Sequence, residues 1–153
     1  MRHNSPTAGW KEVISLPDWH VFHLLAKLDT GAKSSALDVA EIEELDDGRI
    51  RFRILANRKH DDFGQTVTTQ PSGRTRVKSS NGQTQTRYRV LTPVQIGNVV
   101  KTVEFTLVSR RSMICRALLG RRALEGSFLV DSGLKYLLGP RKKAKVKKLR
   151  KSK

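Results

Sequence analysis

One short stretch, LAKLDTGAKSSALDV from Leu25 to Val39, holds the residues best suited to chemistry: an apolar run leads straight into Asp29-Thr30-Gly31-Ala32. Two uses of that carboxylate are open. As a turn residue, Asp29 would accept backbone N–H groups while Gly31 takes a shape other residues resist. As a chemical group, it would sit at the end of a buried strand and work on protons. Acid–base hydrolysis by carboxylates needs two of them close enough to share one proton, so that one activates a water while the other stays neutral toward the scissile carbonyl. One Asp cannot do both. A second triplet, Asp131-Ser132-Gly133 in FLVDSGLKY, is the only similar one in the chain.

The elements that must position Asp29 are strands. In RIRFRIL, Ile50, Phe52 and Ile54 alternate with Arg49, Arg51 and Arg53, which is the period of a half-buried antiparallel strand. Similar alternation runs through TRVKSS, TRYRVLTPVQI and VVKTVEFTLV, with turn signals at Asp47-Gly48, Asn81-Gly82 and Gly97-Asn98. Helical signal is confined to GRRALEG, between Gly120 and Gly126. The class is mainly β, a small closed or folded-over barrel with one short helix. At 153 residues and 37% hydrophobic content the chain is of one-domain size and can bury a core.

Three blocks, GWKEVISLPD, KLDTGAKSSALD and LLGRRALEGSFLVDSGLKYLLG, resemble the retropepsin-like aspartic peptidases, and more closely the bacterial family labelled an ATP-dependent zinc protease and associated with RimK-type glutamate ligases. The resemblance covers most of residues 9 to 139. It implies a retropepsin-like closed barrel with one lobe per chain over residues 1–139, and an aspartic endopeptidase with Asp29 as the catalytic acid. It also implies that Leu118-Leu119-Gly120 is a strand bracing the Asp29 loop, with Gly120 supporting it. Pairing Asp131 with Asp29 inside one chain would need a duplicated lobe, and no second LLGRRAL follows Asp131. That region reads as a terminal strand-turn-strand. The second carboxylate is therefore expected from a second copy of the chain, in a twofold homodimer. Thr30 would hydrogen-bond across the dimer, Gly31 would allow close backbone approach, and Ala32 would keep the floor small.

A retropepsin also needs a flap hairpin and a return hairpin before the brace, and Ser80-Asn81-Gly82 and Gly97-Asn98 fall in that order; a plain type I′ hairpin at Asn81-Gly82 is the alternative. Lys33 and Ser35 follow the catalytic stretch, and Arg74, Arg76 and Lys78 at i, i+2, i+4 share one strand face. If that face meets the cleft, these five residues favour an acidic, glutamate-rich peptide; if it meets solvent, they do not. The stretch from Arg49 to Gly73 exceeds a minimal retropepsin and has no role assigned. Asp38 stands where the family often carries His.

Metal and nucleotide chemistry find little in the residues. His20 and His23 form H-x-x-H, but on a strand their odd spacing sends them to opposite faces, and a helical pair would want i, i+4. His60-Asp61-Asp62 reads as a solvated acidic turn sooner than a cation loop. Neither phosphate-binding glycine motif occurs, so no cofactor is expected. Cys115, the only cysteine, cannot form an intrachain disulfide and reads as a small apolar residue before the brace. No secretory signal or membrane-spanning run is seen, and the expected location is the cytoplasm.

The formal charge is +16, and nine of the 30 Lys/Arg lie in Pro140–Lys153, which holds no acid; residues 1–139 carry the other 21 against 14 acids. Residues 140–153 should form a disordered basic tail. Its uses are docking on ribosomal or other RNA, docking on an acidic protein, or solubility. This leaves a reading from another class: a catalytically silent β-barrel binding module whose tail holds RNA or an acidic protein.

Overall fold

A computed structural model describes residues 5–55, 64–109 and 114–139. Eleven strands and one short helix follow in chain order: β1 (Thr7–Leu16), β2 (Val21–Leu28), β3 (Ser35–Asp38), β4 (Ala40–Glu44), β5 (Ile50–Ile54), β6 (Gln65–Thr69), β7 (Gly73–Lys78), β8 (Thr84–Ile96), β9 (Val99–Val108), β10 (Ala117–Leu119), α1 (Arg121–Leu124) and β11 (Leu129–Lys135). The protein is mainly β and forms a single retropepsin-like lobe.

The alternating segments fold as their period dictates. In β5 Ile50, Phe52 and Ile54 are fully buried while Arg51 and Arg53 point outward, and in β9 Val103, Phe105 and Leu107 supply the inner face. Turns sit at the three predicted places. Gly48 and Gly97 both adopt positive φ, which is why glycine serves there.

Eight strands form one sheet in the order β11-β1-β2-β10-β3-β9-β8-β7. A single residue pair, Ser15 with Gln95, joins β1 to β8 and closes these two and the four strands between them into a ring. This is less than the clean barrel expected, for a geometric reason. One edge of β1 is taken by β2, and most of its other edge by the parallel strand β11, leaving only the end near Ser15 for β8. The strands β11 and β7 project beyond the ring.

The unassigned stretch Arg49–Gly73 contributes β5 and β6, which join β4 in a second sheet, β4-β5-β6, whose inner residues Phe52 and Val67 enter the same core as the ring. Trp19 packs edge-on against Phe52 at 5.6 Å and links the two sheets. On the outer face, Arg51 pairs with Glu43 at 2.9 Å and Arg53 with Glu41 at 3.0 Å. Such exposed pairs contribute about 0–1 kcal/mol each. His60-Asp61-Asp62 and the tail 140–153 lie outside the described residues.

Glu12 is buried at 1% exposure on the inner face of β1. Its carboxylate accepts the N–H of Gly9 at 2.7 Å and those of Leu137 and Leu138 at 2.9 and 3.3 Å. Three donors from the backbone make the burial of this acid tolerable, and they tie the segment after β11 back onto β1.

Candidate active site

Strand β2 delivers Asp29, and β10 fixes where it stops. The two run parallel, Ala117 beside Ala26 and Leu119 beside Leu28, and the Asp29 N–H then donates to Leu119 O at 2.8 Å. The chain turns at once: Ala32 N–H reaches Asp29 O at 3.2 Å and Gly31 N–H reaches Asp29 Oδ1 at 2.9 Å. One carboxylate oxygen is thus held by the turn. Among the described residues the other, Oδ2, makes no hydrogen bond, and Asp29 is half-buried.

The brace continues past β10 residue by residue. Gly120 N–H donates to Ser35 Oγ at 3.0 Å, Arg121 N–H to Ala32 O at 2.8 Å and Arg122 N–H to Lys33 O at 3.1 Å. The first N–H groups of a helix have no partner within it, and here the carbonyls of the Asp29 loop take two of them, no side chain capping α1. Gly120 is essential to this approach. A Cβ there would lie 2.3 Å from Ser34 O and 2.9 Å from Ala32 O. The arrangement fixes the backbone that bears the Asp29 carboxylate and, among the described residues, leaves one of its oxygens uncommitted.

Ser35, expected to touch substrate, is instead buried at 3% exposure with its hydroxyl accepting the Gly120 N–H. Lys33 is exposed beside the loop. Arg121 was missed by the sequence reading: its Nη1 donates to Thr30 O at 3.1 Å, so a guanidinium sits against the residue after Asp29. Arg122 is exposed next to it. The only signal for either was their charge within GRRAL, which helix propensity overshadowed.

Strands β7 and β8 form the expected hairpin, exposed along nearly the whole of β7. Its tip is not a two-residue type I′ turn. Ser79 N–H pairs with Gln83 O, so Ser80, Asn81 and Gly82 form a three-residue loop, with Gly82 N–H on Ser79 O and Gly82 at φ +88°. Arg74, Arg76 and Lys78 share one face, opposite Tyr88, Thr86 and Thr84. Arg74 is engaged there: it lies 3.6 Å from Glu44, 5.6 Å from the Tyr88 ring centre and within 3.3 Å of Gly48 O. Tyr88 hydroxyl donates to Glu44 at 2.8 Å, a bond that raises the phenol pKa. Arg76 and Lys78 are exposed.

The remaining candidates fall elsewhere. His20 closes a single 3₁₀ turn before β2 in the left-handed region, and His23 lies in an irregular part of β2 at φ 66°, so the two do not share a regular strand. Among the described residues no group of three or more His, Cys, Asp or Glu could hold a metal ion. Cys115 is buried, and burial pushes its thiol pKa up against the pull of Lys11 and Lys27. Asp38 forms a buried pair with Arg116 at 3.1 Å. Asp131 lies on β11, which runs through Asp-Ser-Gly as one strand where a turn between two strands was expected; a register shift against β1 absorbs the irregularity. A cleft of about 320 Å³ on the second sheet is lined by Glu41, Glu43, Arg51, Phe52, Arg53 and Thr66, with no residue of the Asp29 loop.

A family model described as RimB-like, retropepsin-like aspartic endopeptidase RimB, matches residues 7–141. The chain belongs to this family. RimB-like sequence also occurs inside longer proteins: those named "Probable alpha-L-glutamate ligase" in Shewanella pealeana and Shewanella halifaxensis are each 29% identical over 152 residues, 97% of this chain and 33% of theirs. A protein of the same name in Desulfotalea psychrophila is 29% identical over 134 residues, 86% of this chain and 29% of its own. The chain thus spans about a third of the length of these curated relatives. The crystal structure of a Legionella pneumophila protein of unknown function superposes with a TM-score of 0.71 at 27% identity, covering 87% of this chain and 98% of that one. No helix among the described residues is long and apolar enough to cross a membrane.

Proposed function

We propose that the protein is a homodimeric aspartic endopeptidase in which the Asp29 carboxylates of two chains activate a water against a peptide bond of a glutamate-rich substrate. The observation that carries this reading is the braced Asp29, one oxygen tied to Gly31 and the other uncommitted. Two such groups across a twofold axis would share one proton between them. The ionised member takes a proton from water as the oxygen attacks the scissile carbonyl, and the neutral member gives its proton to the carbonyl oxygen. Collapse of the tetrahedral intermediate breaks the C–N bond, and a proton passes to the leaving nitrogen. Thr30 would secure the two loops to each other, and the β7–β8 hairpin would cover the peptide. The substrate class is supported by charge and by the relatives: residues 64–103 hold six Lys/Arg and no acid, and the ligases just described carry sequence like this chain within one polypeptide.

Hydrolysis of a poly-glutamate peptide by wild type and Asp29→Asn, with sedimentation of both, tests the reading. Cleavage by a wild-type dimer that vanishes in a folded, dimeric variant is the expected result, and cleavage unaffected by the substitution would refute it. The nine Lys/Arg of residues 140–153, unmatched by any acid there, support one other reading, a silent module whose basic tail binds RNA or an acidic protein, in which deletion of that tail would remove a salt-sensitive affinity.

A further inference from the structure

Most arginines in the described structure are matched to acids. Arg49, Arg51, Arg53, Arg74, Arg89 and Arg116 each lie within 4 Å of an Asp or Glu oxygen. Lys33, Arg121 and Arg122 form no ion pair among the described residues, yet they are gathered at one place by the brace: Arg122 N–H on Lys33 O, Arg121 N–H on Ala32 O and the Arg121 guanidinium on Thr30 O. The acid nearest in sequence to Arg121 and Arg122 is Glu125, one turn along, whose charge acts on Lys101 and raises its pKa against the lowering by burial, and the acid nearest to Lys33 is Asp29 itself. The Asp29 loop is therefore rimmed by cations that, among the described residues, form no ion pair with an acid.

We propose that Lys33 and Arg122 are specificity-determining residues that bind acidic side chains of the peptide, while Arg121 is a positioning residue that holds the Thr30 carbonyl. The inference deepens the endopeptidase reading above and rests on it for the identity of the ligand as a peptide. Fixed backbone hydrogen bonds place both reader side chains within a few residues of the reacting carboxylate, where charge-assisted contacts would orient the chain as well as attract it. Ser35, buried under Gly120, is not available for this task. In a twofold dimer the pair occurs on both sides of the scissile bond, so acidic residues on both sides are favoured.

The test is binding rather than turnover. On an Asp29→Asn background, the Kd of a fluorescent glutamate decapeptide is measured by anisotropy with and without Lys33→Gln/Arg122→Gln, against the glutamine peptide of equal length. A second pair, Arg49→Gln/Arg51→Gln, removes the same charge from the outer face of the second sheet. Loss of two partly solvated contacts should weaken the glutamate peptide by about tenfold in the first pair only, and leave the glutamine peptide unchanged. Equal weakening by both pairs, equal loss on both peptides, or no loss at all would overturn the proposal. The catalytic Asp is already removed, so absence of hydrolysis by wild type would sink the endopeptidase reading and leave this measurement to stand or fall separately.

Discussion

Replacing Gly120 with Ala probes the contact on which the site depends. The added Cβ would meet Ser34 O at 2.3 Å, Ser34 C at 2.7 Å and Ala32 O at 2.9 Å, all backbone atoms with no side-chain freedom to yield. Gly120 has φ −92° and ψ −176°, which alanine adopts easily, so the cost is steric alone. Overpacking of this kind costs about 1–3 kcal/mol. Lengthening the Gly120–Ser35 and Arg121–Ala32 hydrogen bonds adds about 1 kcal/mol each, and the stiffer unfolded chain returns about 0.4–1 kcal/mol. The net loss is about 2–4 kcal/mol, or roughly 5–15 °C in Tm for a domain of this size. Relieving the contact requires a shift of about 1 Å in the loop bearing Asp29, which lowers the rate about 100-fold. Gly139→Ala is the control, since nothing lies within 4 Å of its Cβ. Thermal unfolding and peptide hydrolysis read the two effects. A Gly120→Ala protein as stable and as active as Gly139→Ala would refute the close approach.

Asp38→Asn leaves the buried Arg116 without its counter-charge and should cost about 3–5 kcal/mol in urea unfolding, whereas Asp38→Leu with Arg116→Met should recover most of it; a double variant worse than the single would refute the pairing. Glu12→Gln replaces an acceptor of three backbone N–H groups with a group that must point a donor at one of them, a loss of about 2–4 kcal/mol. Its signature is local, faster hydrogen exchange at Leu137 and Leu138 than elsewhere, and unchanged exchange there would count against the clamp. Cys115 should be alkylated at about pH 8 at least tenfold more slowly in the folded protein than in urea. Its folded pKa lies above the ordinary value of 9.0, so the stability it contributes is complete below that value and is lost as pH rises through the folded pKa. A Cys115→Ala variant should therefore show a smaller alkaline loss than wild type, and equal losses would disprove the assignment.

The strands legible in the sequence were those with one wet face and one dry one. Strands β5, β8 and β9 alternate visibly because their buried residues are apolar, Thr92 of β8 alone excepted. Strand β1 hides the same alternation, since its inner positions 12, 14 and 16 begin with Glu12, a residue that period alone assigns to solvent. What makes that burial possible is a set of N–H groups from residues 137 and 138, which no local pattern announces. Strand β6, QTVTT, has one buried apolar residue and so no period, and β10 has three residues, too few for one. Within the site, Asp29 and Gly120 were legible from their motifs. The roles of Ser35 and Arg121 were not, because each is decided by a contact across more than eighty residues.

The Asp-Thr-Gly and Asp-Ser-Gly triplets show what a motif can and cannot establish. Locally they are alike: Asp29 Oδ1 takes the Gly31 N–H at 2.9 Å, and Asp131 Oδ1 takes the Gly133 N–H at 2.9 Å. That bond is a property of the residue types and needs no active site. The difference lies in what surrounds them. Asp29 ends a strand flanked by β10, donates its own N–H to Leu119 and is followed by a loop whose carbonyls cap α1. Asp131 lies exposed on β11 at the margin of the sheet, paired only with β1. Holding a water and a carbonyl at reacting distance from a carboxylate needs a fixed backbone beneath it, which the braced Asp29 loop has and the exposed Asp131 strand lacks. Among the described residues only Asp29 has such a scaffold, and under the proposed mechanism a second copy of the chain would supply the same scaffold for its partner acid.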